Sequence, residues 1–454
     1  MAAAVVSGEV EQVRPRGVGF FAAAGRAAAV LWVWLGVGAL WLVDAGPLRR
    51  LWYRARGRSA AYARVTGPVA WRLAFERLGP TYIKLGQMVA SGDGLFPPRY
   101  SEEFRRCLDA VPSFAFADVE RTLEEEWRRP YREVLASIEE KPLAAASIAQ
   151  VHAARLRDGR EVVIKVQRPG IRERIDADLA IMKVLARGLA RVVPYLELAN
   201  PVAIVLDLER TLHEELDFRG EAANMAEFQE IMRLCGNTEV AAPEVHGELT
   251  RPRLLVMERF RGWRVDDTAA LFASPYDAEA KLLAGIRGWF QGLLRRGFFH
   301  GDVHAGNFLL LEDGRIGFLD FGIVGRLDAT QKTHITEYVL AFQSRNFSRL
   351  ADVLVAMGST SAERVDRDRF ASELAEAFAP MVQPGSEARI RDVVPAMMRV
   401  AVKNRMRMPR EFVLVTKQLV YLDRYARALG GPTMNVLTDQ RVMMAIIQDM
   451  AAMG

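Results

Sequence analysis

Hydrophobic and polar residues follow different periods in different parts of the chain. Between residues 59 and 140 the apolar positions recur every three or four residues, which predicts helices. Residues 144–156 and 161–167 instead form two short apolar runs on either side of an Asp-Gly dipeptide, a frequent hairpin signal. The second run reads Glu-Val-Val-Ile-Lys-Val-Gln and carries Lys165 near its end. These patterns predict a hairpin of two strands after a helical extension.

The remaining pattern is mostly helical. Helical periodicity covers residues 171–193 and 205–235 and returns from residue 278 onward. Short apolar runs predict strands at 243–245, 254–257, 308–311 and 316–319. A small β-rich part followed by a larger helical part predicts an α+β fold of the bilobal protein-kinase-like type, with a helical N-terminal extension and a helical C-terminal region. In such a fold we expect the chemistry in the cleft between the lobes.

We expect four segments along the chain. They are an N-terminal segment with a candidate membrane helix, a helical extension, a kinase-like N-lobe with inserted helices and a helical kinase-like C-lobe, over residues 1–58, 59–140, 141–262 and 263–454 respectively. The length of 454 residues suits this division, since a domain usually takes about 100–200 residues.

An uncharged run of 17 residues at positions 27–43 lies between Arg26 and Asp44. A membrane-spanning helix needs about 20 apolar residues, so this run is at the short limit. A spanning helix would leave the rest of the chain on the cytoplasmic side, because several arginines follow it, namely Arg49, Arg50, Arg54, Arg56 and Arg58. The alternative is a helix that docks against the domain or lies in the membrane interface. We expect a protein at the cytoplasmic face of a bacterial inner membrane, either peripheral or single-span.

Composition narrows the classes of partner. Half of the residues are hydrophobic and 26% are charged, which is an ordinary globular balance. The net charge of +5 comes from arginines spread along the chain without a basic-aromatic cluster, which argues against nucleic-acid binding. A weak attraction to an anionic membrane surface fits this charge better. Cys107 and Cys235 are far apart, which argues against a disulfide framework.

The strongest local signal is His-Gly-Asp-Val-His-Ala-Gly-Asn at 300–307, followed by Asp-Phe-Gly at 320–322. Phosphoryl transfer needs charge neutralisation and alignment rather than covalent chemistry from the protein. In this pattern Asp302 would accept a hydroxyl proton, while Asn307 and Asp320 would hold a divalent metal against phosphates. The motif therefore predicts ATP as the nucleotide and Mg2+ as the metal. The two histidines of the motif lack the accompanying glutamate of a helical zinc pair, and we interpret them as structural residues.

Lys165 lies in a strand pattern that projects an amine toward bound phosphates. Its ion-pair partner should be a glutamate on a nearby helix, and Glu215 and Glu221 are both candidates. Glu215 follows Lys165 by 50 residues, a long interval for a kinase, which indicates an insertion. Glu258, just after the strand at 254–257, is expected at the hinge where an adenine docks.

A typical kinase has a glycine-rich loop over the phosphates, but this chain has small residues there, Ala144, Ala145, Ala146 and Ser147. Alanine rarely adopts the positive φ angles that let a glycine backbone wrap around a phosphate. We therefore expect an altered grip on ATP. The alternative is a stretch of small residues that serves packing alone.

Several motifs, taken together and in order, resemble those of the UbiB-type atypical kinases, which include quinone-biosynthesis kinases of bacteria and mitochondria. These motifs are Leu-Gly-Pro-Thr-Tyr-Ile-Lys-Leu-Gly-Gln at 78–87, the alanine-rich loop, Gln-Val-His at 150–152, and Glu-Leu-Asp at 215–217 with Glu221 and Asn224. The resemblance runs from about residue 78 to the helical C-terminal region. The motif at 300–307 departs from the commonest family form at Gly301, Val303 and Ala305 without losing a charged group.

The resemblance implies roles that the local patterns do not. Lys84 and Gln87 of the Lys-x-Gly-Gln motif would lie in the active site near Glu215 and Asp217, where their helices cover the cleft that docks a peptide in other kinases. The partner of the β-strand lysine would be Glu221. ATP turnover is then expected in preference to phosphorylation of a protein.

The function that the resemblance implies is an ATP-binding, Mg-dependent atypical kinase or ATPase. It would support isoprenoid-quinone biosynthesis, of ubiquinone or menaquinone, or related lipid metabolism at the membrane, with a lipid or quinone precursor and other quinone-biosynthesis proteins as partners. Two alternatives stay open. One is a small-molecule kinase, because the motif at 300–307 also resembles aminoglycoside and choline kinases, and the other is a nucleotide-binding scaffold. A conventional protein kinase is disfavoured, because no Ala-Pro-Glu motif follows Asp-Phe-Gly and Gly301 replaces the usual arginine.

Overall fold

The computed structural model describes residues 20–45, 66–91, 98–104, 106, 112–192, 201–358, 365–383, 386–404, 406 and 408–451. Cys107, the five arginines that follow the apolar run, and all of the segment 1–58 other than residues 20–45 lie outside these ranges. The chain divides into two compact units. The first comprises Met1–Pro112, Ala146–Ile148 and Arg168–Glu214, and the second comprises Ser113–Ala145, Ala149–Gln167 and Glu215–Gly454.

The first half of the chain mixes helices with a hairpin. In chain order its elements are α1 (Phe20–Ala45), α2 (Gly67–Leu78), α3 (Pro80–Ser91), α4 (Pro98–Phe104), α5 (Phe116–Trp127), β1 (Leu135–Ile138), β2 (Ala144–Ala145), β3 (Ala149–Leu156), β4 (Glu161–Gln167), α6 (Ile171–Val192), α7 (Pro201–Glu215) and α8 (Phe218–Leu234).

The second half is mainly helical. Its elements are β5 (Val240–Ala241), β6 (Leu254–Glu258), β7 (Gly262–Arg264), α9 (Thr268–Phe272), α10 (Ala278–Gln291), β8 (Phe298–His300), β9 (Phe308–Leu311), β10 (Ile316–Phe318), β11 (Val324–Arg326), α11 (Ala329–Gln343), α12 (Phe347–Met357), α13 (Arg367–Val382), α14 (Ile390–Lys403), α15 (Arg410–Gly430) and α16 (Gln440–Ala451). The α+β fold with helical N-terminal and C-terminal regions is thus confirmed.

In the first unit, α1 packs along α2 and α6. Its inward face presents Val37, with Val33 and Trp34 beside it, to the small side chains of Ala70 and Ala74 on α2. The small residues let the two helix backbones approach closely, and the large residues of α1 fill the space between them. This face of α1 is therefore part of the core of the first unit.

A buried ion pair also fixes α1. The Arg26 guanidinium lies 2.6 Å from a carboxylate oxygen of Asp178 on α6, and the Asp178 side chain is fully buried. The Thr81 hydroxyl donates to the other carboxylate oxygen at 2.8 Å, and Arg26 also donates to the Leu78 carbonyl oxygen at 2.6 Å. A buried carboxylate needs such partners, because an unpaired one is costly. The start of α1 is therefore fixed to α6 and to the α2–α3 junction.

The outward face of α1 is apolar and exposed. Leu31, Trp32, Leu35 and Leu42 are among its exposed side chains, with Trp32 at 77% exposure. Residues Ala24–Leu42 have a mean hydropathy of 1.5, and among the described residues they form the one helix long and apolar enough to cross a membrane. The helix thus combines a docked face with an apolar face that the described residues leave uncovered.

The second unit contains an antiparallel sheet in the order β1-β3-β4-β6, with β2 pairing to β3. Strand residues alternate between faces, so Val162, Ile164 and Val166 of β4 point to one side, where they pack in the same core as Leu123 of α5. Lys165 therefore points to the opposite side of the sheet. There its ammonium lies over the ring of Phe218, the first residue of α8, 5.3 Å from the ring centroid.

Shorter strands follow. A four-stranded sheet has the order β5-β10-β9-β7, and β8 pairs with β11 in a separate ribbon. In the β9–β10 hairpin Phe308 pairs with Phe318, and Gly314 has a φ of +85° that suits the turn. Helix α10 approaches this hairpin so closely that a Cβ on Gly285 would lie 2.8 Å from the Ile316 side chain. The hairpin is thereby fixed against the helical part of the unit.

Three predictions of secondary structure need correction. Residues 135–138, expected to be helical, form the edge strand β1, which pairs with β3. The strand expected at 243–245 lies earlier, as β5, and Val245 makes only an isolated bridge to Met257. The strands β7, β8 and β11 were not expected. Each is three residues long and too short for a periodic signal, so tertiary pairing decides its conformation.

Candidate active site

Lys165 lies at the centre of a group of charged side chains in the second unit. Its Nζ lies 2.9 Å and 3.2 Å from the two carboxylate oxygens of Glu221 on α8. The same nitrogen lies 3.4 Å from Oδ1 of Asp320. The side chains of Lys165 and Glu221 are almost buried, whereas that of Asp320 is 49% exposed. The arrangement presents one cation between a buried carboxylate and a carboxylate that faces solvent.

Mutual attraction determines the charge states of this group. Burial alone would lower the pKa of the Lys165 ammonium, but the carboxylates of Asp320 and Glu221 outweigh it and raise that pKa above its ordinary value. Burial raises the pKa of Glu221 to about 7, although Lys165 opposes the shift. Burial acts on Asp320 in the same direction, yet Lys165 and the Gly322 N–H lower its pKa to about 2. Asp320 is therefore ionised at any physiological pH.

The turn that carries Asp320 has an unusual backbone. Asp320 has a φ of +56°, a left-handed conformation that residues with a side chain seldom adopt. The next residue, Phe321, is fully buried, with its ring centroid 5.1 Å from that of Phe228 and 4.7 Å from that of His300. The Asn224 side-chain amide donates to the Phe321 carbonyl oxygen at 2.9 Å. These contacts hold the strained turn, and strain of this kind commonly marks functional sites.

His300 orients the loop that carries Asp302. Its ring is fully buried; Nδ1 accepts the N–H of Asp302 at 3.1 Å, and Nε2 lies 2.9 Å from the Leu319 carbonyl oxygen. This pattern requires the proton on Nε2, since a carbonyl oxygen only accepts. Burial lowers the pKa of His300, so the ring is neutral. The contacts of His300 agree with the structural role expected from the sequence.

Asn307 lies beside both acids. Its side-chain amide donates to the backbone carbonyl oxygen of Asp302 at 3.1 Å. The backbone carbonyl oxygen of Asn307 accepts the N–H of Leu319, the residue before Asp320, at 2.8 Å. The Nε2 of His304 lies 3.8 Å from Oδ2 of Asp302. The hairpin β9–β10 therefore brings the two ends of the motif together, as the spacing of the acids requires.

The chemistry of these side chains fits a Mg2+ bound together with phosphates. Mg2+ prefers oxygen ligands and usually takes one or two from the protein, with phosphates and water completing the set. Asn307 offers an amide oxygen and Asp320 an ionised, half-exposed carboxylate. Over the described ranges no three His, Cys, Asp or Glu side chains gather into a group that would hold a metal by itself. Asn307 and Asp320 therefore supply oxygen donors of the type that Mg2+ takes alongside phosphates.

The alanine-rich stretch is extended rather than looped at its start. Ala144 and Ala145 form β2 and pair with Val151 and Gln150 of β3. Gln150 is buried; it accepts the N–H of Phe114 at 3.0 Å and lies 2.9 Å from the His152 ring. Ala146 and Ser147, which follow β2, belong to the first unit. A role of these four residues in binding ATP remains a prediction.

The other candidate residues lie at ends of elements or outside the second unit. Glu258 ends β6, and its Oε2 accepts the N–H of Glu244 at 3.2 Å. Asp217 caps the N-terminus of α8, accepting the N–H of Arg219 and pairing with its guanidinium at 2.7 Å. Glu215 ends α7, while Lys84 and Gln87 lie on α3 in the first unit. Their expected roles at the cleft stay predictions.

Sequence reasoning missed a group of residues on α15. The Lys417 ammonium lies 3.2 Å from Oδ1 of Asp302, and Gln418 contacts the backbone on both sides of Asp302. The Tyr425 hydroxyl donates to the Val303 carbonyl oxygen at 3.2 Å. Helix α15 reads as an ordinary amphipathic helix, and nothing in its local pattern indicates these long-range contacts.

Comparison with known proteins gives consistent matches. A family model described as the ABC1 atypical kinase-like domain matches residues 106–354. An uncharacterized aarF domain-containing protein kinase of the Arabidopsis thaliana chloroplast is 37% identical over 404 residues, covering 83% of this chain and 74% of that protein. An uncharacterized protein of Mycobacterium tuberculosis is 38% identical over 379 residues, covering 81% of this chain and 75% of that protein. A probable protein kinase UbiB of Aeromonas hydrophila is 38% identical over 368 residues, covering 79% of this chain and 66% of that protein.

A solved structure supports the fold. A Mycobacterium tuberculosis protein in complex with erythromycin aligns with a TM-score of 0.55 at 24% identity, covering 80% of this chain and 92% of that chain. The likeness confirms the protein-kinase-like fold expected from the sequence.

Proposed function

The chain belongs to the ABC1 atypical kinase-like family, in which UbiB proteins are its relatives, and we propose that it is an ATP-dependent, Mg-requiring phosphotransferase or ATPase. One observation carries the proposal. Lys165 lies within hydrogen-bonding reach of both Glu221 and Asp320, and Asp320 is held in a strained turn beside the loop of Asp302 and Asn307. Phosphoryl transfer needs such a set of one cation, two metal-binding oxygens and one acidic acceptor of a proton.

Each residue of the set would have a separate task. Lys165 would contact nucleotide phosphate oxygens while Glu221 holds its ammonium in place through two contacts. Asn307 and Asp320 would hold Mg2+, which when bound neutralises the charge of the β- and γ-phosphate oxygens. Asp320 suits this task because its carboxylate stays ionised, with a pKa of about 2.

Asp302 would accept the proton. In the transfer step an oxygen of the acceptor hydroxyl, or of water, forms a bond to the γ-phosphorus. The bond from that phosphorus to the oxygen bridging the β- and γ-phosphates breaks, and ADP leaves with the electron pair. The proton of the acceptor passes to the Asp302 carboxylate, and the hydrogen bonds of His300 and Asn307 to the Asp302 backbone hold the loop that carries it.

The Asp320→Asn variant tests this function. Calorimetric titration with Mg-ATP and a phosphate-release assay should show binding and turnover for the wild type, and loss of Mg-dependent binding for the variant. Asp313→Asn is the matched control, because Asp313 lies in the β9–β10 turn and accepts hydrogen bonds from Arg315 there. Asp320→Asn that binds Mg-ATP as tightly as the wild type would disprove the assignment.

We further propose a role in isoprenoid-quinone biosynthesis or related lipid metabolism at the cytoplasmic face of the membrane, with a lipid or quinone precursor nearby. The resemblance to quinone-biosynthesis kinases supports the pathway, and the exposed apolar face of α1 supports the location. Lipid profiling of a strain lacking the protein, complemented with the wild type or with Asp320→Asn, tests the pathway. If the wild type and Asp320→Asn both restore the quinone pool, the role in the pathway does not depend on the ATP site.

The docked face of α1 favours peripheral attachment over a single span. In this helix Arg26 makes an ion pair with the buried Asp178, and Val37 lies in the core of the first unit. A helix that crosses the bilayer would have to give up both contacts. We therefore propose that α1 lies in the interface with its outward side chains, Leu31, Trp32 and Leu35, in lipid.

A further inference from the structure

Helix α15 lies outside the part of the chain that the family model matches, since that match ends at residue 354. Two consecutive residues of α15 nevertheless contact the loop of Asp302. The Lys417 Nζ lies 3.2 Å from Oδ1 of Asp302, and the side chains are 41% and 26% exposed. Gln418 is fully buried beside it.

Gln418 contacts both residues that flank Asp302. Its Oε1 accepts the N–H of Val303 at 3.0 Å, and its Nε2 donates to the carbonyl oxygen of Gly301 at 2.7 Å. A single buried amide therefore fixes the backbone immediately before and after Asp302. Because the two contacts come from one rigid side chain, the position of the loop depends on the position of α15.

The Lys417 ammonium lies within hydrogen-bond distance of the Asp302 carboxylate, whereas the His304 ring does not. Lys417 faces Oδ1 at 3.2 Å, and the His304 ring faces Oδ2 at 3.8 Å. The residue before Asp302 is Gly301, so the loop itself offers no arginine at that position. Lys417 thus brings to the loop a positive charge from a remote part of the chain.

We propose that α15 belongs to the catalytic apparatus and that Lys417 is a positioning residue for Asp302; this rests on the phosphotransferase function proposed above. Lys417 holds Oδ1, so the carboxylate presents Oδ2 to the incoming hydroxyl. A lysine that only stabilised the fold would act equally on nucleotide binding and turnover, whereas a positioning residue acts on the transfer step. Lys417 therefore affects kcat and leaves the KM for ATP nearly unchanged.

Steady-state ATP turnover of the full chain with Lys417→Met and Lys417→Arg tests the proposal. Lys417→Met should lower kcat by about tenfold or more with a change in KM below about twofold, and Lys417→Arg should recover most of the rate. Thermal unfolding should be close to that of the wild type, because the lysine is partly exposed. Lys403→Met is the control and should leave kcat unchanged, because Lys403, at the end of α14, pairs with Glu373 on α13 instead.

A double variant shows whether Lys417 acts through Asp302. If it does, Asp302→Asn with Lys417→Met should be no slower than Asp302→Asn alone, because the effects of coupled residues do not add. Gln418→Glu provides a second route, since it keeps the acceptor for Val303 but loses the donor to Gly301, and it should also lower kcat.

The outcomes separate the two proposals. A wild type that neither binds nor turns over Mg-ATP would overturn the proposed function and the inference together. An active wild type with Lys417→Met equal to it in kcat would overturn the inference alone. Equal losses in kcat and in ATP binding, with no recovery by Lys417→Arg, would assign Lys417 a structural role and overturn the inference as well.

Discussion

The Asn224 side-chain amide donates a hydrogen bond to the carbonyl oxygen of Phe321, with 2.9 Å between nitrogen and oxygen. Asn224 follows Glu221 by three residues on α8, so both project from the same side of that helix. One side chain contacts Lys165 and the other contacts the turn of Asp320. Helix α8 therefore sets the lysine and the metal-binding turn in a fixed relation.

Removing this link should weaken the site without removing any charge. Asn224→Leu leaves the Phe321 carbonyl without its donor, and we expect Mg-ATP affinity to fall by about five- to twentyfold, the usual effect of losing one buried hydrogen bond or slightly more. Calorimetric titration measures it. Arg326→Met is the control, because Arg326 contacts the other end of the same amide at 2.8 Å. If Asn224→Leu binds Mg-ATP as tightly as Arg326→Met and the wild type do, the hydrogen bond from Asn224 to Phe321 has no bearing on the site.

The pH dependence of turnover should report Glu221. Its pKa of about 7 means that it takes up a proton as the pH falls through neutrality and loses its attraction for Lys165, whereas Asp320, with a pKa of about 2, stays charged. We expect kcat/KM to fall about tenfold per pH unit below 7, since kcat/KM follows the free enzyme. In Glu221→Gln the rate should be lower at pH 8 and this acidic limb absent. Glu227→Gln, on the same helix, is the control and should still lose kcat/KM below pH 7. If Glu221→Gln also loses kcat/KM below pH 7, the pH dependence does not come from Glu221.

The alanine-rich strand offers a test of the nucleotide grip. Ala145→Gly should alter the ratio of ATP to ADP affinity, because glycine frees the backbone of a position that pairs with Gln150. It should also cost about 0.5–1 kcal/mol in the free energy of unfolding. Ala136→Gly on the edge strand β1 should show the stability cost alone. Unchanged affinities for both nucleotides in Ala145→Gly would limit the stretch to a packing role.

Membrane association should depend on the outward face of α1. Replacing Trp32 and Leu35 together by glutamate should shift the protein from the membrane fraction to the soluble fraction, because charged residues oppose insertion into lipid. Met444→Glu, at an exposed apolar position on α16, should leave the distribution unchanged. Retention of the double variant on membranes would place the attachment elsewhere. Deletion of residues 1–46 should also release the protein, but it leaves the buried Asp178 without Arg26.

The sequence alone predicts the parts of the site that local pattern determines. The apolar run at 161–167 predicts a strand, and the order of Asp302, Asn307 and Asp320 predicts a phosphate site because few other functions need those residues in that order. The choice of Glu221 over Glu215 as the partner of Lys165 needed the family resemblance. Both glutamates follow Lys165 at a longer interval than in an ordinary kinase, so spacing along the chain does not distinguish them. The structure joins Lys165 to Glu221 at 2.9 Å.

Contacts between distant segments could not be predicted. Lys417 lies 115 residues from Asp302, and its position depends on how α15 packs in the second unit. The three-residue strands β8 and β11 carry no period of their own, and their pairing places His300 opposite Val324. Likewise the buried partnership of Arg26 and Asp178, 152 residues apart, gives no sign in the local sequence of either.

The insertion between Lys165 and Glu221 also bears on how the protein folds. The two residues are 56 positions apart, and the helices between them, α6 and most of α7, belong to the first unit. The chain must leave the second unit, build part of the first and return before the ion pair can close. Closing a loop of that length costs conformational entropy that short-range pairs such as the β3–β4 hairpin do not incur. We therefore expect competence for nucleotide binding to be acquired late in refolding, after the hairpin has formed.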